Sequence, residues 1–237
     1  AVLMRTFPEV AGSTEAAEEL FKQFQDQVEQ QAGAQDDEEE HKDEEDFREE
    51  AVDAYVFSDF RHGIFSKATI PMLTGALKSG PLRVADSQVA SRWGNILEFQ
   101  DFDLITPNEK EARFALGDQD SVIRPLALEL YRRARCKALI LKMGDRGVLT
   151  YREPSEDVRA FFTVDSFAGT VTDPVGAGDA LLAYSTLVLV ATGSPVAATI
   201  LASMAAAVAC EHDGNTPVSP SEVLAKLDLV EKQVQYA

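Results

Sequence analysis

Positive charge is scarce in this sequence. Lysine and arginine together number 22 against 40 aspartate and glutamate residues, which gives a formal net charge of −18. Such a surface repels both the phosphate backbone of nucleic acids and an anionic membrane, so neither is expected as a partner. Hydrophobic residues make up 45% and charged residues 26% of the 237 residues, which is typical of a globular protein with a sizeable core.

Cysteine is almost absent as well. Cys136 and Cys210 are the only two in the sequence. They are too few for a disulfide framework and indicate a reducing compartment, so we expect a cytoplasmic protein. The first ten residues, AVLMRTFPEV, lack a charged segment followed by an apolar one and therefore do not predict a secretory signal.

The acidic residues are concentrated in one segment. Residues 36–50 contain eleven acidic side chains and two basic ones, a net charge of −9 that is half of the total. Because like charges repel and bury little surface, this segment predicts a solvated linker; a metal buffer or a docking element for a basic partner is the alternative. Residues 13–31 have helical spacing of apolar residues. We therefore expect residues 1–50 to form a helical segment and an acidic, partly disordered linker ahead of a packed domain at 51–237.

From residue 51 onward, short apolar runs alternate with helical patterns. The apolar runs cover residues 52–57, 81–86, 103–106 and 138–143, and the helical patterns cover 66–78, 109–116 and 123–135. This alternation predicts an α/β fold, in which helices cover both faces of a mostly parallel sheet. Residues 147–151 and 160–164 are expected to close the sheet with antiparallel strands.

Residues 180–210 contain no charged side chain over 31 positions, which is long enough to raise the question of a membrane span. Gly193, Ser194 and Pro195 divide the stretch into pieces of 13 and 15 residues, each too short to cross a bilayer. Alanine, serine and threonine dominate the stretch and suit close helix packing. The pattern therefore favours two buried helices joined by a turn over a membrane span.

Residues 172–180 read TDPVGAGDA and carry the clearest chemical signal. Gly176, Ala177 and Gly178 precede an apolar helix, where exposed N–H groups and the positive end of the helix dipole can receive an anion. Asp179 would repel that anion unless it accepts a proton from a hydroxyl group during phosphoryl transfer. The alternative is a capping turn in which Asp179 only stabilises the start of the helix.

The segment DPVGAGDALLA resembles the C-terminal signature of the PfkB (ribokinase-like) carbohydrate kinases. The resemblance implies that Asp179 is the catalytic base and that the amides of Gly176, Ala177 and Gly178 form an anion hole. It also implies a ribokinase-like three-layer fold, ATP and Mg²⁺ as cofactors, and a sugar or sugar phosphate as the small-molecule acceptor.

Two further segments resemble motifs of this family and occur in the same order. Asn108 and Glu111 match the Asn-x-x-Glu motif, which implies a role for both near Mg²⁺ and for Asn108 near the phosphates; an asparagine helix cap with a first-turn glutamate is the alternative. Lys142, Gly144 and Gly147 match the strand and turn that line the nucleotide site, for which a plain β-turn is the alternative.

Residues 54–118 look closest to the heptose-phosphate kinases within the family, through the segments SDFRHG and VADSQ. Asp59 and Asp86 lie at the carboxyl ends of predicted strands, where open α/β sheets bind ligands, so both are candidate substrate contacts. His62 is a third candidate, for which a loop histidine without a ligand is the alternative. His62 stands where a lysine is usual in the family. Gly214, after the last apolar helix, is placed near the adenine by its position in the sequence alone.

The beginning of the chain departs from the family. Family members carry a glycine-rich sugar-binding segment and a small β lid in their first half, whereas residues 1–50 contain only Gly12 and Gly33 as glycines. The resemblance therefore covers residues 51–237, and we expect a fold truncated at its N-terminus. Two hypotheses follow: an active ATP-dependent sugar kinase, or an inactive nucleotide-binding relative with a structural or regulatory role. The oligomeric state stays open.

Overall fold

A mixed six-stranded sheet organises the protein. The computed structural model describes residues 52–60, 64–88, 96–153 and 160–235, so the segments at 13–31 and 36–50 and residue His62 lie outside the described residues. The strands lie in the order β1 to β6, with β1–β4 parallel and β5 and β6 antiparallel. This arrangement confirms the predicted parallel sheet and its antiparallel closure. The strands are β1 (Ala54–Asp59), β2 (Leu82–Ser87), β3 (Leu104–Ile105), β4 (Ala138–Lys142), β5 (Val148–Arg152) and β6 (Phe161–Val164).

Most of the helices lie where the apolar spacing predicts them. The helix at 109–116 has the predicted bounds, whereas the one predicted at 66–78 is limited to seven residues, and the last helix was not predicted. The helices are α1 (Thr69–Gly75), α2 (Glu109–Leu116), α3 (Ile123–Ala134), α4 (Ala177–Thr192), α5 (Pro195–Glu211) and α6 (Pro220–Gln235).

The two faces of the sheet contact different helices because successive side chains of a strand point to opposite sides. Val84, Leu104 and Ile140 belong to one buried apolar cluster with residues of α4 and α5. On the other face, Tyr151 of β5 stacks on Tyr131 of α3 with ring centroids 5.7 Å apart. Helices therefore cover both faces, as the sequence predicts.

The uncharged stretch at 180–210 forms the paired helices α4 and α5. Gly193 ends α4 in the left-handed conformation, and Ser194 caps α5 by accepting a hydrogen bond from the Ala197 amide. The Thr150 hydroxyl of β5 lies 3.2 Å from the Thr199 hydroxyl of α5, which ties α5 to the sheet. Among the described residues, none of the helices is long and apolar enough to cross a membrane.

The chain divides into two compact units. Within the first, the described residues 64–79 carry α1, which the Ser66 and Thr69 side chains support at its start through local hydrogen bonds. The second unit contains residues 53–60 and 80–237 and holds the whole sheet. All the candidate site residues in the described ranges belong to the second unit.

Candidate active site

Three parallel strands end at the same edge of the sheet. Asp86 lies near the end of β2, Asn108 follows β3 and Lys142 ends β4, so all three lie at the carboxyl edge of the sheet, where open α/β sheets bind ligands. The Lys142 amide donates a hydrogen bond to the Pro107 carbonyl at 2.9 Å, and Asn108 and Lys142 form an isolated parallel β-bridge. The backbone itself therefore fixes Asn108 beside Lys142.

Lys142 connects this edge of the sheet to the start of α4. Its ammonium group donates to Asp86 Oδ2 at 2.8 Å, and both side chains are largely buried. A Cβ atom at Gly178 would lie 3.5 Å from Lys142 Nζ, so the ammonium group lies against the first turn of α4. The other carboxylate oxygen of Asp86, Oδ1, is buried without a hydrogen-bond partner in the described part of the chain. A buried carboxylate oxygen in this state is suited to accept a hydrogen bond from a ligand.

Asp179 occupies the first turn of α4 and is half-buried. Burial raises the pKa of its carboxyl group above the ordinary value, the negative charge of Asp86 raises this pKa further, and Lys142 opposes both effects. Because the structure brings Asp86, Lys142 and Asp179 within electrostatic reach, it gathers three of the residues that the sequence assigned to the site. A carboxylate with a raised pKa is a better proton acceptor than an ordinary aspartate.

The start of α4 offers backbone N–H groups to a ligand. The first intrahelical hydrogen bond runs from the Ala180 amide to the Gly176 carbonyl, so the amides before residue 180 have no partner within the helix. The Ala177 amide does have a partner outside the helix, since it donates a hydrogen bond to the Pro174 carbonyl at 3.3 Å. The amides of Gly178 and Asp179 are therefore the ones best placed to receive an anion.

Gly176 precedes this turn in a left-handed conformation with φ of 84°. This conformation favours glycine. A Cβ atom at this position would lie 2.3 Å from the Asn215 side-chain oxygen, so a larger residue would also displace the Asn215 side chain. Asn215 follows Gly214, which also has positive φ, in the loop between α5 and α6. Sequence reasoning placed Gly214 near the nucleotide but missed Asn215, although the adjacent glycine marks a turn at this point.

Asn108 and Glu111 form a capping box at the start of α2. The Asn108 side chain accepts a hydrogen bond from the Glu111 amide at 2.9 Å, and Glu111 accepts from the Asn108 backbone and side-chain amides at 2.6 and 2.8 Å. The alternative of a helix cap is therefore present in the structure. Both Glu111 oxygens accept a hydrogen bond from Asn108, so the two side chains hold each other in place.

The turn after β4 is a tight one at Gly144–Arg146, followed by Gly147. Gly144 and Gly147 have φ of 65° and 74°, and a Cβ atom at Gly147 would lie 2.1 Å from the Val164 carbonyl oxygen. Glu109 of α2 holds this turn, since its carboxylate pairs with Arg146 and also with Arg113 at 2.7 Å. The Glu109 contact, which sequence reasoning missed, ties the turn to the strand end that carries Asn108.

Asp59 does not join this group. In the parallel register it pairs with Ser87 while Ser58 pairs with Asp86, so the Asp59 and Asp86 side chains point to opposite faces of the sheet. The Asp59 side chain is buried and accepts a hydrogen bond from the Ser87 hydroxyl at 3.1 Å. The substrate role of Asp59 stays a prediction, and so does that of His62, which lies outside the described residues. In the described ranges, no group of three or more metal-binding side chains is gathered.

Residues 23–222 match the family described as pfkB family carbohydrate kinase. The match begins ahead of residue 51, where we place the start of the packed domain. Because the described residues begin at 52, that domain boundary stays a prediction.

Two curated proteins illustrate the sequence similarity. The chain is 28% identical over 182 residues to bifunctional protein HldE of Rhodopseudomonas palustris, and 29% identical over 176 residues to bifunctional protein HldE of Nitrobacter winogradskyi. These alignments cover 75% and 73% of this chain but 36% and 34% of the two relatives. The chain therefore spans about a third of the length of the curated relatives it matches.

Solved structures share the architecture. Ribokinase from Thermotoga maritima superposes with a TM-score of 0.60 at 23% identity, covering 74% of this chain and 57% of that one. Phosphofructokinase-2 from Escherichia coli, in complex with substrates and products, gives a TM-score of 0.65 at 18% identity, covering 90% of this chain and 63% of that one. At these identities the similarity shows the fold alone, and it confirms the ribokinase-like architecture.

Proposed function

Because the chain belongs to the pfkB family of carbohydrate kinases, we propose that it transfers the terminal phosphoryl group of ATP to a hydroxyl group of a sugar or sugar phosphate. The observation that carries this proposal is the start of α4, where Asp179 has a raised pKa beside unpaired helix amides and the Lys142 ammonium group. A proton acceptor next to an anion-binding helix start is the combination that phosphoryl transfer to an alcohol requires.

The start of α4 would hold the transferring phosphoryl group. The amides of Gly178 and Asp179 point out of the first turn with the positive end of the helix dipole behind them. Lys142 adds a full positive charge against the same turn. These donors are fixed by the backbone and by the ion pair with Asp86 before any ligand binds, so they stabilise the developing negative charge with little rearrangement.

Asp179 would take the proton from the attacking hydroxyl group. Only the ionised carboxylate can accept this proton. Its half-buried position keeps it next to the helix amides, so the attacking oxygen and the phosphoryl group can meet between them. The proton would move to the Asp179 carboxylate as the new oxygen–phosphorus bond forms, while the bond between the terminal phosphorus of ATP and its bridging oxygen breaks and ADP leaves.

ATP would lie along the turn at Gly144 and Gly147, with Gly214 on the side of the adenine. Magnesium bound to ATP would neutralise charge on the phosphates. The capping box leaves Asn108 and Glu111 able to hold the water shell of such an ion, which suits Mg²⁺ because this ion retains several waters and takes few protein ligands.

The acceptor would be bound from the carboxyl edge of β2. Asp86 Oδ1 is buried and has no partner in the described ranges, so a sugar hydroxyl group can donate to it without displacing another contact. The similarity of residues 54–118 to heptose-phosphate kinases favours a heptose phosphate as acceptor. We place the reaction in the cytoplasm, because both cysteines are free thiols.

A catalytically inactive nucleotide-binding relative is the second candidate. The lack of a glycine-rich segment within residues 1–50 motivates this candidate. Such a protein would bind ATP with magnesium at the start of α4 and transfer nothing.

Phosphate transfer from labelled ATP to a panel of heptose phosphates, hexose phosphates and ribose separates the two candidates. The active kinase yields a labelled sugar phosphate with at least one acceptor, at a rate that depends on magnesium. ATP binding by calorimetry, together with no labelled product on any acceptor, would instead support the inactive relative and contradict the kinase.

We predict that Asp86→Asn shifts the acid limb of the turnover pH profile to lower pH. The substitution removes a negative charge that raises the pKa of Asp179, and it frees Lys142 to lower that pKa further. Activity is lost as the pH falls through the pKa of the base, so a lower pKa preserves activity in more acidic solution. The measurement is turnover against pH at saturating substrates.

The control for this prediction is Asp120→Asn, which removes the same charge from an exposed position outside the site. Its profile should coincide with that of the unsubstituted protein. A profile of Asp86→Asn that is unmoved, or moved to higher pH, would show that the titrating group is not Asp179 beside Asp86.

A further inference from the structure

The connection between β6 and α4 is tied to the end of α5. The Gly169 amide donates to Glu211 Oε1 at 2.9 Å, and the amides of Thr172 and Asp173 donate to the Cys210 carbonyl at 2.8 and 3.2 Å. These three bonds hold a segment that has neither helix nor strand structure of its own. The last turn of α5 therefore sets the course of the chain just before the start of α4.

Glu211 is in turn held by Lys226 of α6. Lys226 Nζ lies 2.5 Å from Glu211 Oε1, and the lysine side chain is only 9% exposed. Burial raises the pKa of the Glu211 carboxyl group, but the hydrogen bonds from Lys226 and the Gly169 amide outweigh that effect and keep the pKa below its ordinary value. One carboxylate oxygen thus receives both the buried ammonium group and the loop amide.

The same segment continues directly into the helix amides that face the phosphoryl group. Asp173, whose amide is held by Cys210, accepts a hydrogen bond from the Val175 amide at 3.0 Å. Gly176 follows, packed against Asn215, which lies four residues after Glu211. Both the chain that enters α4 and the loop that packs against its first glycine are therefore anchored at the end of α5.

We infer that Lys226 and Glu211 are positioning residues for the anion-binding start of α4. They act through the Gly169 amide, which donates to Glu211, and through the adjacent Cys210 carbonyl, which accepts from the amides of Thr172 and Asp173. This inference rests on the proposed function for what the anion is. Neither side chain is placed near the reacting groups; the pair fixes the entry of the chain into α4. Removing Lys226 leaves the Glu211 carboxylate, whose side chain is 30% exposed, without its ion-pair partner on α6.

The test is amide hydrogen exchange on the full chain with Lys226→Met. We expect exchange at Gly169 to become about tenfold faster or more, because its acceptor Glu211 is no longer held by α6. Exchange at Thr172 and Asp173 should also become faster, because their acceptor, the Cys210 carbonyl, is next to Glu211 at the end of α5. Lys226→Arg keeps the charge and should restore slow exchange.

The matched control is Lys137→Met. Lys137 forms an ion pair of 2.8 Å with Asp103 at the opposite, amino-terminal ends of β3 and β4. This variant removes a lysine–aspartate ion pair of similar length and should leave the exchange rates of the Gly169, Thr172 and Asp173 amides unchanged. Unchanged exchange in Lys226→Met, or equally faster exchange in Lys137→Met, would overturn the inference.

A double variant covers the case in which Lys226→Met does not fold. Glu211→Gln combined with Lys226→Met removes both charges and leaves an oxygen for the Gly169 amide to bind. We expect the three amides to exchange faster in this variant too, because the glutamine is no longer held by α6. Exchange at the original rate in the double variant would contradict the positioning role.

Kinetic measurements distinguish a positioning role from a merely structural one. Because a displaced helix start weakens the donors to the transferring group, we expect Lys226→Met to lower the turnover number about tenfold while KM for magnesium-ATP changes far less. A change in KM alone would contradict positioning of these donors. If the unsubstituted protein transfers no phosphate, the proposed function fails, whereas the exchange experiment still decides whether the pair positions the start of α4.

Discussion

Asp179→Asn is expected to lower the turnover number about 10²–10⁴-fold while magnesium-ATP still binds. General-base catalysis contributes a factor of this size, which corresponds to a barrier increase of roughly 3–5 kcal/mol. Asparagine keeps the shape of the side chain and the amides of the first helical turn, so the nucleotide contacts proposed for the start of α4 remain. The measurements are single-turnover phosphate transfer and ATP titration by calorimetry.

The same substitution should leave thermal stability unchanged or increase it. Burial and the charge of Asp86 raise the pKa of Asp179, so the ionised carboxylate opposes folding at neutral pH. A neutral asparagine removes that opposition. Loss of turnover without loss of stability distinguishes a missing base from a damaged fold.

Asp228→Asn, on the exposed side of α6, is the charge-matched control and should keep full turnover. Turnover of Asp179→Asn within tenfold of the unsubstituted protein would show that another group accepts the proton.

Much of the fold could be predicted because local sequence patterns indicate its helices and strands. Apolar runs and helical spacing alternate with short connections, which fixes the class and the direction of neighbouring strands. The start of β1 was predicted less accurately, because the strand begins at Ala54 whereas the apolar run begins at residue 52. Helix α6 was not predicted, although Ser219 and Glu222 at its start have the spacing of a capping box. Glu222 accepts a hydrogen bond from the Ser219 amide at 2.7 Å, and the Glu222 amide donates to the Ser219 hydroxyl at 3.4 Å.

The candidate site was predictable only in its list of residues. Lys142 and Asp86 are 56 positions apart in the sequence, and only the sheet brings them together. The separation of Asp59 from Asp86 depends on the strand register, because a shift of one residue reverses the face to which a side chain points. Asn215 meets Gly176 through helix packing between distant segments. Contacts of this kind follow from tertiary structure and leave no local pattern to find.

Gly147→Ala is expected to destabilise the protein by about 3 kcal/mol or more, because the added Cβ atom has no space. It would lie 2.1 Å from the Val164 carbonyl oxygen, 2.7 Å from the Asp165 carbonyl carbon and 2.8 Å from the Ser166 amide nitrogen. All three are backbone atoms at the end of β6, so no side chain can rotate away. The turn must then separate from β6, and since it lines the proposed nucleotide site, ATP affinity should fall as well.

Gly144→Ala at the other end of the turn is the matched control. Gly144 has a similar positive φ of 65°, but in the described part of the chain no atom beyond its two chain neighbours lies within 4 Å of its added Cβ position. The control therefore carries the cost of a left-handed alanine, about 1 kcal/mol, without the collision. Urea denaturation of the two variants measures the difference in unfolding free energy. Both the clash and the backbone conformation of Gly147, with φ of 74° and ψ of −131°, contribute to this difference. Equal losses in the two variants would mean that the turn and β6 do not make this close approach, and that glycine is needed at both positions only for its backbone freedom.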